Sequence, residues 1–179
     1  LIRQYGVEHS FIVPSTIRAI VDDLKLRKQQ APQMKGIFYG AMPMGENLLR
    51  ETMELFGCSF GQYFGMTENT GSATFLPPQD HDPERPHLLG SVGKPYPGMR
   101  LEIRGPDGGV LCAREHGEIW INSPTRLLGY WKLPQKSREA VVDGWYATGD
   151  GGYLDADGYL YLTDRIKDMI VSGGENIYP

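Results

Sequence analysis

Cysteine is scarce in this chain: Cys58 and Cys112 are the only two in 179 residues. They are far apart and in no metal-ligand spacing, which excludes a disulfide scaffold and points to a reducing, cytoplasmic setting. The four histidines, His9, His81, His87 and His116, form no ligand pattern either. There is no run of Lys and Arg; the densest basic patch, "LKLRK" from Leu24 to Lys28, reads as a solvated helix end. With a formal charge of −4, nucleic acid is a poor main partner. No apolar run approaches the roughly 18 residues that a membrane span needs, and the N-terminus lacks a signal-peptide layout. The signatures G-x-x-x-x-G-K-[ST], G-x-G-x-x-G and G-x-S-x-G are all absent. "DADGYLYLTD" resembles a calcium loop, but its glycine falls at the wrong position and no Glu closes it.

What is present describes an ordinary globular protein, 40% hydrophobic and 22% charged, long enough to bury a core. The chain opens on Leu1 within what reads as a helix end and stops at Pro179 after a Gly-Gly turn, the expected form of a piece of a longer protein. "PSTIRAIVDDLKL" carries Ile17, Ile20, Val21 and Leu24 at helical spacing, with Ser15 or Thr16 available as N-cap. "KGIFYGA" reads as a strand, "GENLLRETMELFG" as a second amphipathic helix stopped by Gly57, and "CSFGQYF" as another strand. Strand, helix, strand at this spacing predicts parallel pairing in an α/β sheet. After the Pro-rich loop "LPPQDHDPERPH", the stretches "MRLEIRG", "GEIWINS" and "GYLDADGYLYL" predict short antiparallel strands. The fold class expected is therefore α/β followed by mostly antiparallel β. The divisions are an α/β core over 1–76, a barrel-like subdomain over 77–164 and a closing stretch over 165–179.

Three segments carry chemistry. In "GQYFGMTENTG" a strand ends at Phe64, placing Gly65, Met66, Thr67 and Glu68 at the carboxyl end of a parallel strand, where open α/β sheets bind ligands. Thr67 offers a hydroxyl for a phosphate oxygen, Glu68 a hard oxygen for Mg²⁺ and Phe64 a flat face for a base. The same residues would also suit a plain solvated turn. In "WYATGDGGYL", Asp150 sits between glycines, where a carboxylate can take both hydroxyls of a ribose, though such turns are common. "DRIKDMIVSGGENIYP" reads as an edge strand and hairpin.

In order, "YGAMP", "QYFGMTE", "GSVGKPYPG", "GEIWINSPTRLLGYW", "DGWYATGDGGYLDADGYLYLTDRIKD" and "MIVSGGENIYP" resemble the adenylate-forming superfamily, specifically its acyl- and aryl-CoA ligases. The resemblance covers Val7 to Pro179. It implies an ATP-dependent enzyme, an acid–thiol ligase that activates a fatty or aryl carboxylic acid and passes it to CoA, with Mg²⁺ required. Other members load a carrier protein or oxidise the adenylate, and a non-catalytic nucleotide-binding module is the remaining alternative. Matched by motif, Gly40, Ala41 and Met42 lie along the adenine, Phe64 replaces a more usual tyrosine as the stacking face, and Gly65 follows it. Thr67 holds phosphate, Glu68 holds Mg²⁺, and Asp150 and Arg165 hold the ribose. Asn69, Thr70 and Gly71 line the acyl pocket. Lys167 is the hinge to a mobile lid, with Gly173 and Gly174 beside the CoA path. The partners implied are small molecules, with a homodimer possible. A phosphate-covering loop and a lid lysine would lie outside Leu1 to Pro179, so the chain by itself is expected to be inactive.

Overall fold

A computed structural model describes residues 1–165, 170–172 and 175–177, with side chains through Thr163. Lys167, Gly173 and Gly174 lie outside the described residues, as does the side chain of Arg165.

The chain runs α1 (Ile2–Tyr5), β1 (His9–Phe11), α2 (Pro14–Leu26), β2 (Gly36–Gly40), α3 (Glu46–Phe56), β3 (Ser59–Met66) and β4 (Gly71–Leu76). After α4 (Pro86–Leu89) come β5 (Lys94–Pro95), β6 (Arg100–Arg104), β7 (Gly117–Asn122), α5 (Pro134–Ala140), β8 (Val141–Val142), β9 (Trp145–Leu154) and β10 (Leu160–Arg165). A short pair, β11 (Ile170–Ser172) and β12 (Glu175–Ile177), ends it. Five strands form a first sheet in the order β1-β2-β3-β4-β5, and a second sheet has the order β10-β9-β7-β6 with β8 on β9.

The expected parallel pairing holds: β1, β2 and β3 are parallel, in the register Gly36↔Ser59 to Gly40↔Tyr63 for the second pair. β4 and β5 then close this sheet antiparallel, so its last strand comes from beyond residue 76. The second sheet is antiparallel throughout, as the short strands and turns predict. Its ladders shift register between Glu118 and Trp120 and between Leu162 and Arg165, and such bulges bend a sheet towards a barrel without closing it.

Helices α2 and α3 fold where the apolar spacing puts them, and their inner residues explain why. Ile17, Val21, Leu48 and Leu49 are buried against Ile37, Tyr39 and Phe60 of the first sheet. Each such side chain contributes roughly 1.5–3 kcal/mol when fully removed from water. Gly57 ends α3 in the left-handed conformation, φ 57°, as its position predicts. The N-cap expectation for α2 needs correcting. Val13 is the cap and makes no side-chain bond, because Pro14 starts the helix and brings Ser15 and Thr16 inside it.

One polar chain crosses this core. Tyr39 is fully buried, its hydroxyl 3.2 Å from Gln62 Oε1 and 3.1 Å from His81 Nε2. The other ring nitrogen, His81 Nδ1, lies 3.0 Å from the Pro77 carbonyl, which can only accept. Nδ1 therefore carries the ring proton, which leaves His81 Nε2 and Gln62 Oε1 as the two acceptors that face the single proton of the phenol. Burial pushes the His81 pKa down from the ordinary 6.5, against the Pro77 bond and the Asp80 charge, and pushes the Tyr39 hydroxyl up.

The second core joins the two sheets. Phe64 and Ala73 from the first pack with Val92, Ile103, Ile119, Ile121 and Leu160. Backbone bonds reinforce the seam: Val92 N donates to Leu160 O and Leu160 N to Gly93 O, both at 2.9 Å. On the second sheet the Arg104 guanidinium lies 4.4 Å from the Trp120 ring centre and 5.1 Å from that of Trp145, and it also pairs with Glu102 at 2.6 Å. Among the described residues no helix is long and apolar enough to cross a membrane.

Candidate nucleotide and carboxylate site

Strands β2 and β3 run parallel, and the last residue of β2, Gly40, stands opposite Tyr63. Beyond Gly40, Ala41 takes φ 66°, a left-handed conformation that non-glycine residues rarely adopt and that concentrates at ligand sites. A Cβ at Gly40 would overlap the Tyr63 carbonyl, so only glycine lets the two strand ends approach this closely. Ala41 is exposed and Met42 half-buried.

Strand β3 continues two residues past Phe64, to Met66, and then tightens into a single 3₁₀ turn over Thr67–Asn69. The turn closes with Thr70 N donating to Thr67 O at 3.0 Å and Thr70 at φ 56°. β4 leaves at once, antiparallel, with Met66 opposite Gly71. A Cβ at Gly65 would overlap the Gly71 carbonyl, so this hairpin requires glycine there.

Within the turn the side chains part company. Thr67 is exposed. Glu68 is half-buried, and its Oε1 accepts a hydrogen bond from the Tyr130 hydroxyl at 3.1 Å. Asn69 is only 2% exposed, with Nδ2 3.6 Å from Met99 Sδ and its Oδ1 without a partner, so it points into the protein rather than into an open pocket. Thr70 and Gly71 are exposed. Phe64, at 9% exposure, is spent mainly on the second core, which leaves little of its ring for a base.

A loop that follows β7 grips this turn. Leu127 N donates to Glu68 O at 2.6 Å, Thr70 Oγ1 to Thr125 O at 2.7 Å, and Thr125 Oγ1 to Asn69 O at 3.1 Å. Ser123 braces the loop from below, its hydroxyl 2.8 Å from that of Thr125. Tyr130 and Thr125 were not legible as site residues. They stand 62 and 56 residues from their partners, and no local pattern links a strand-end loop to a distant turn.

Asp150 lies in mid-β9, half-buried, with its backbone N–H held by Thr148 Oγ1 at 3.0 Å. Opposite it in the ladder stands Arg165, so the two residues expected to share one sugar are register neighbours. Glu118 supports the strand from β7, accepting from Gly149 N at 3.0 Å and from the Trp120 indole at 3.2 Å. Sequence reasoning missed Glu118 also.

The donor set suits a magnesium ion held jointly with phosphates. Among the described residues no three His, Cys, Asp or Glu side chains gather to cage a metal. Mg²⁺ in nucleotide enzymes commonly takes one or two carboxylates and fills the rest with phosphate and water. An ionised carboxylate has about four lone-pair sites, so the single Tyr130 bond leaves Glu68 room for a cation.

The chain is 38% identical over 179 residues to the fatty acid–[acyl-carrier-protein] ligase ScoC of Streptomyces coeruleorubidus, covering 100% of this chain and 34% of that protein. It is 34% identical to the medium/long-chain-fatty-acid–CoA ligase FadD8 of Mycobacterium tuberculosis, covering 100% of this chain and 31% of that one. Among solved structures, the amide bond synthetase McbA from Marinactinospora thermotolerans superposes with a TM-score of 0.89 at 32% identity, over 99% of this chain and 35% of that one. The O-succinylbenzoate coenzyme A synthetase MenE from Bacillus subtilis, in complex with ATP and magnesium ion, gives 0.79 at 34% identity, over 99% and 36%. The chain spans about a third of the length of these relatives. The family model for AMP-binding enzyme matches residues 1–131, and the chain belongs to that family.

Proposed function

We propose that this chain supplies the nucleotide- and acid-binding part of an AMP-forming acid–thiol ligase. The observation that carries the reading is the Thr67–Asn69 turn: a hydroxyl and a carboxylate at the carboxyl edge of parallel strands, gripped from the second sheet. In the first half-reaction a carboxylate oxygen attacks the α-phosphorus of ATP, the bond to the β-phosphate breaks, and pyrophosphate leaves. In the second a thiolate attacks the acyl carbon and AMP leaves with the bonding electrons.

Both reactants of the first step are anions, so positioning and charge neutralisation carry the catalysis. Thr67 donates to a phosphate oxygen, and Glu68 holds the magnesium. When bound, that ion neutralises phosphate charge and orients the leaving group. Gly40, Ala41 and Met42 border the adenine, where the left-handed Ala41 turns the backbone away from the sheet. Phe64 and Gly65 complete that border. Asp150 accepts the two ribose hydroxyls and Arg165 reaches the same sugar. Thr70 and Gly71 face the acyl group, with Asn69 fixing the wall behind them. Lys167 serves as the hinge of the lid, and Gly173 and Gly174 border the path of the thiol. On the same reading 1–76 belongs to the nucleotide core, 77–164 to the second subdomain and 165–179 to the hinge.

The acid is a fatty or aryl carboxylate and the acceptor is CoA; the ligases among the relatives favour this class, and several of them act on an acyl carrier protein instead. The test is acid-dependent exchange of labelled pyrophosphate into ATP by the complete protein, followed by transfer to CoA or to a carrier protein. Exchange that needs both the acid and Mg²⁺ is the expected result. Absence of exchange with every fatty and aryl acid offered would refute the reading.

A further inference from the structure

The loop that grips the turn does more than staple two sheets. Both main-chain polar groups of its Tyr130 are bonded: the backbone N–H donates to Ser137 Oγ at 2.8 Å, and the carbonyl accepts from Leu133 N at 3.1 Å. Ser137 is itself fixed by donating to Leu133 O at 2.9 Å, at the start of α5. The phenol therefore reaches Glu68 from a backbone that is hydrogen-bonded at both its N–H and its carbonyl. Glu68 is fixed in turn, since its own carbonyl takes Leu127 N, three residues earlier on the same loop. One segment thus holds the main chain of Glu68 and one oxygen of its side chain.

We infer that Tyr130 is a positioning residue for Glu68, orienting the carboxylate so that its remaining lone pairs meet the magnesium of the bound nucleotide. This rests on the reading of Glu68 as the magnesium ligand. The choice of donor supports it. A lysine or arginine at the same place would hold the carboxylate equally well but would neutralise it, cancelling its attraction for a cation. A phenol is neutral, so it fixes the direction of Glu68 and leaves its full negative charge available. Hydrogen-bond partners of metal ligands act in this way, by restricting the ligand to the geometry that the metal needs.

The experiment compares Tyr130→Phe, Glu68→Gln and Leu128→Ser in the complete protein. Leu128 is fully exposed on the same loop and serves as the control. Mn²⁺ binding is read by electron paramagnetic resonance with α,β-methylene-ATP bound, which cannot be cleaved at the reacting bond. Turnover is measured separately across a range of Mg²⁺. Phenylalanine keeps the ring and its packing and removes the hydroxyl that bonds Glu68. Tyr130→Phe should weaken Mn²⁺ binding by about 10–100-fold, the usual cost of losing a partner of a metal ligand. Turnover should recover to near wild type at saturating Mg²⁺. Leu128→Ser should stay within about twofold, as surface changes do. If Tyr130→Phe binds Mn²⁺ as wild type does while Glu68→Gln does not, the positioning role is refuted and the magnesium reading stands. If Glu68→Gln also binds normally, both fall. If Tyr130→Phe loses turnover equally at every Mg²⁺ concentration, the contact is a structural staple and the inference is overturned.

Discussion

Replacing Tyr39 by phenylalanine removes one oxygen from the centre of the first core. That oxygen serves both His81 Nε2, 3.1 Å away, and the Gln62 amide, 3.2 Å away, and all three side chains are buried. Without it, two polar groups lose their partner where water does not replace it. An unsatisfied buried group costs about 1–3 kcal/mol, so roughly 2 kcal/mol is expected for the pair once some relaxation is allowed. For a denaturant slope of about 2 kcal/mol/M this lowers the urea midpoint by roughly 1 M. The same site gives a pH signature. Burial holds the His81 pKa below 6.5 in the folded protein, so the unfolded chain binds the proton more readily. Stability is then complete above about 6.5 and falls as the pH drops from there towards the folded value. The assay is urea unfolding at pH 7.5 and pH 5.5, for wild type, Tyr39→Phe and His81→Leu. Loss of stability on acidification should be smaller in His81→Leu, which has no proton to take up. A Tyr39→Phe midpoint unchanged at pH 7.5 would refute the network, and an unchanged acid sensitivity in His81→Leu would refute the titration.

Asp150→Ala in the complete protein should raise the KM for ATP about tenfold to several-hundred-fold, since charged hydrogen bonds contribute roughly 1.5–3 kcal/mol each; steady-state kinetics with ATP varied will show it, and a change below twofold would remove the ribose assignment. Glu118→Ala leaves Gly149 N and the Trp120 indole without their carboxylate partner, so it should also raise that KM, by less than Asp150→Ala, while lowering the melting temperature. Gly65→Ala should abolish soluble expression or cost several kcal/mol in a urea titration, because its Cβ would overlap the Gly71 carbonyl and backbone at a hairpin cannot yield cheaply.

Much of the fold was legible because its signals are local. The helix over Pro14–Leu26 follows from four apolar residues at helical spacing, and its partner over Glu46–Phe56 from the same pattern ended by Gly57. The parallel pairing of β2 and β3 follows from the length of chain between them. β1 escaped notice because three residues, His9 to Phe11, carry no alternation to count. β4 escaped because Gly71, Ser72 and Thr74 look like loop, yet Ala73 and Leu76 are fully buried. The seven-residue α5 interrupts a region read as β because Pro134 opens it and its residues are exposed or half-buried, with no apolar stripe. At the candidate site, the placing of Thr67 and Glu68 just after a strand was legible because it is a sequence property. The contact of Tyr130 with Glu68 was not, since it depends on where the loop after β7 delivers the phenol.

The distribution of tryptophan also makes the molecule optically lopsided. All three indoles, Trp120, Trp131 and Trp145, belong to the second sheet or its loops, and the first sheet has none. Two of them flank Arg104, a charge whose field bears directly on their emission, whereas Trp131 is 87% exposed. It follows Tyr130 directly, one residue beyond the contact with Glu68. Indole fluorescence is therefore blind to the helices packed on the first sheet and reports instead on the half that grips the Thr67–Asn69 turn. A quencher dissolved in the solvent would reach Trp131 first, so quenching reads the loop beside Glu68 without any label.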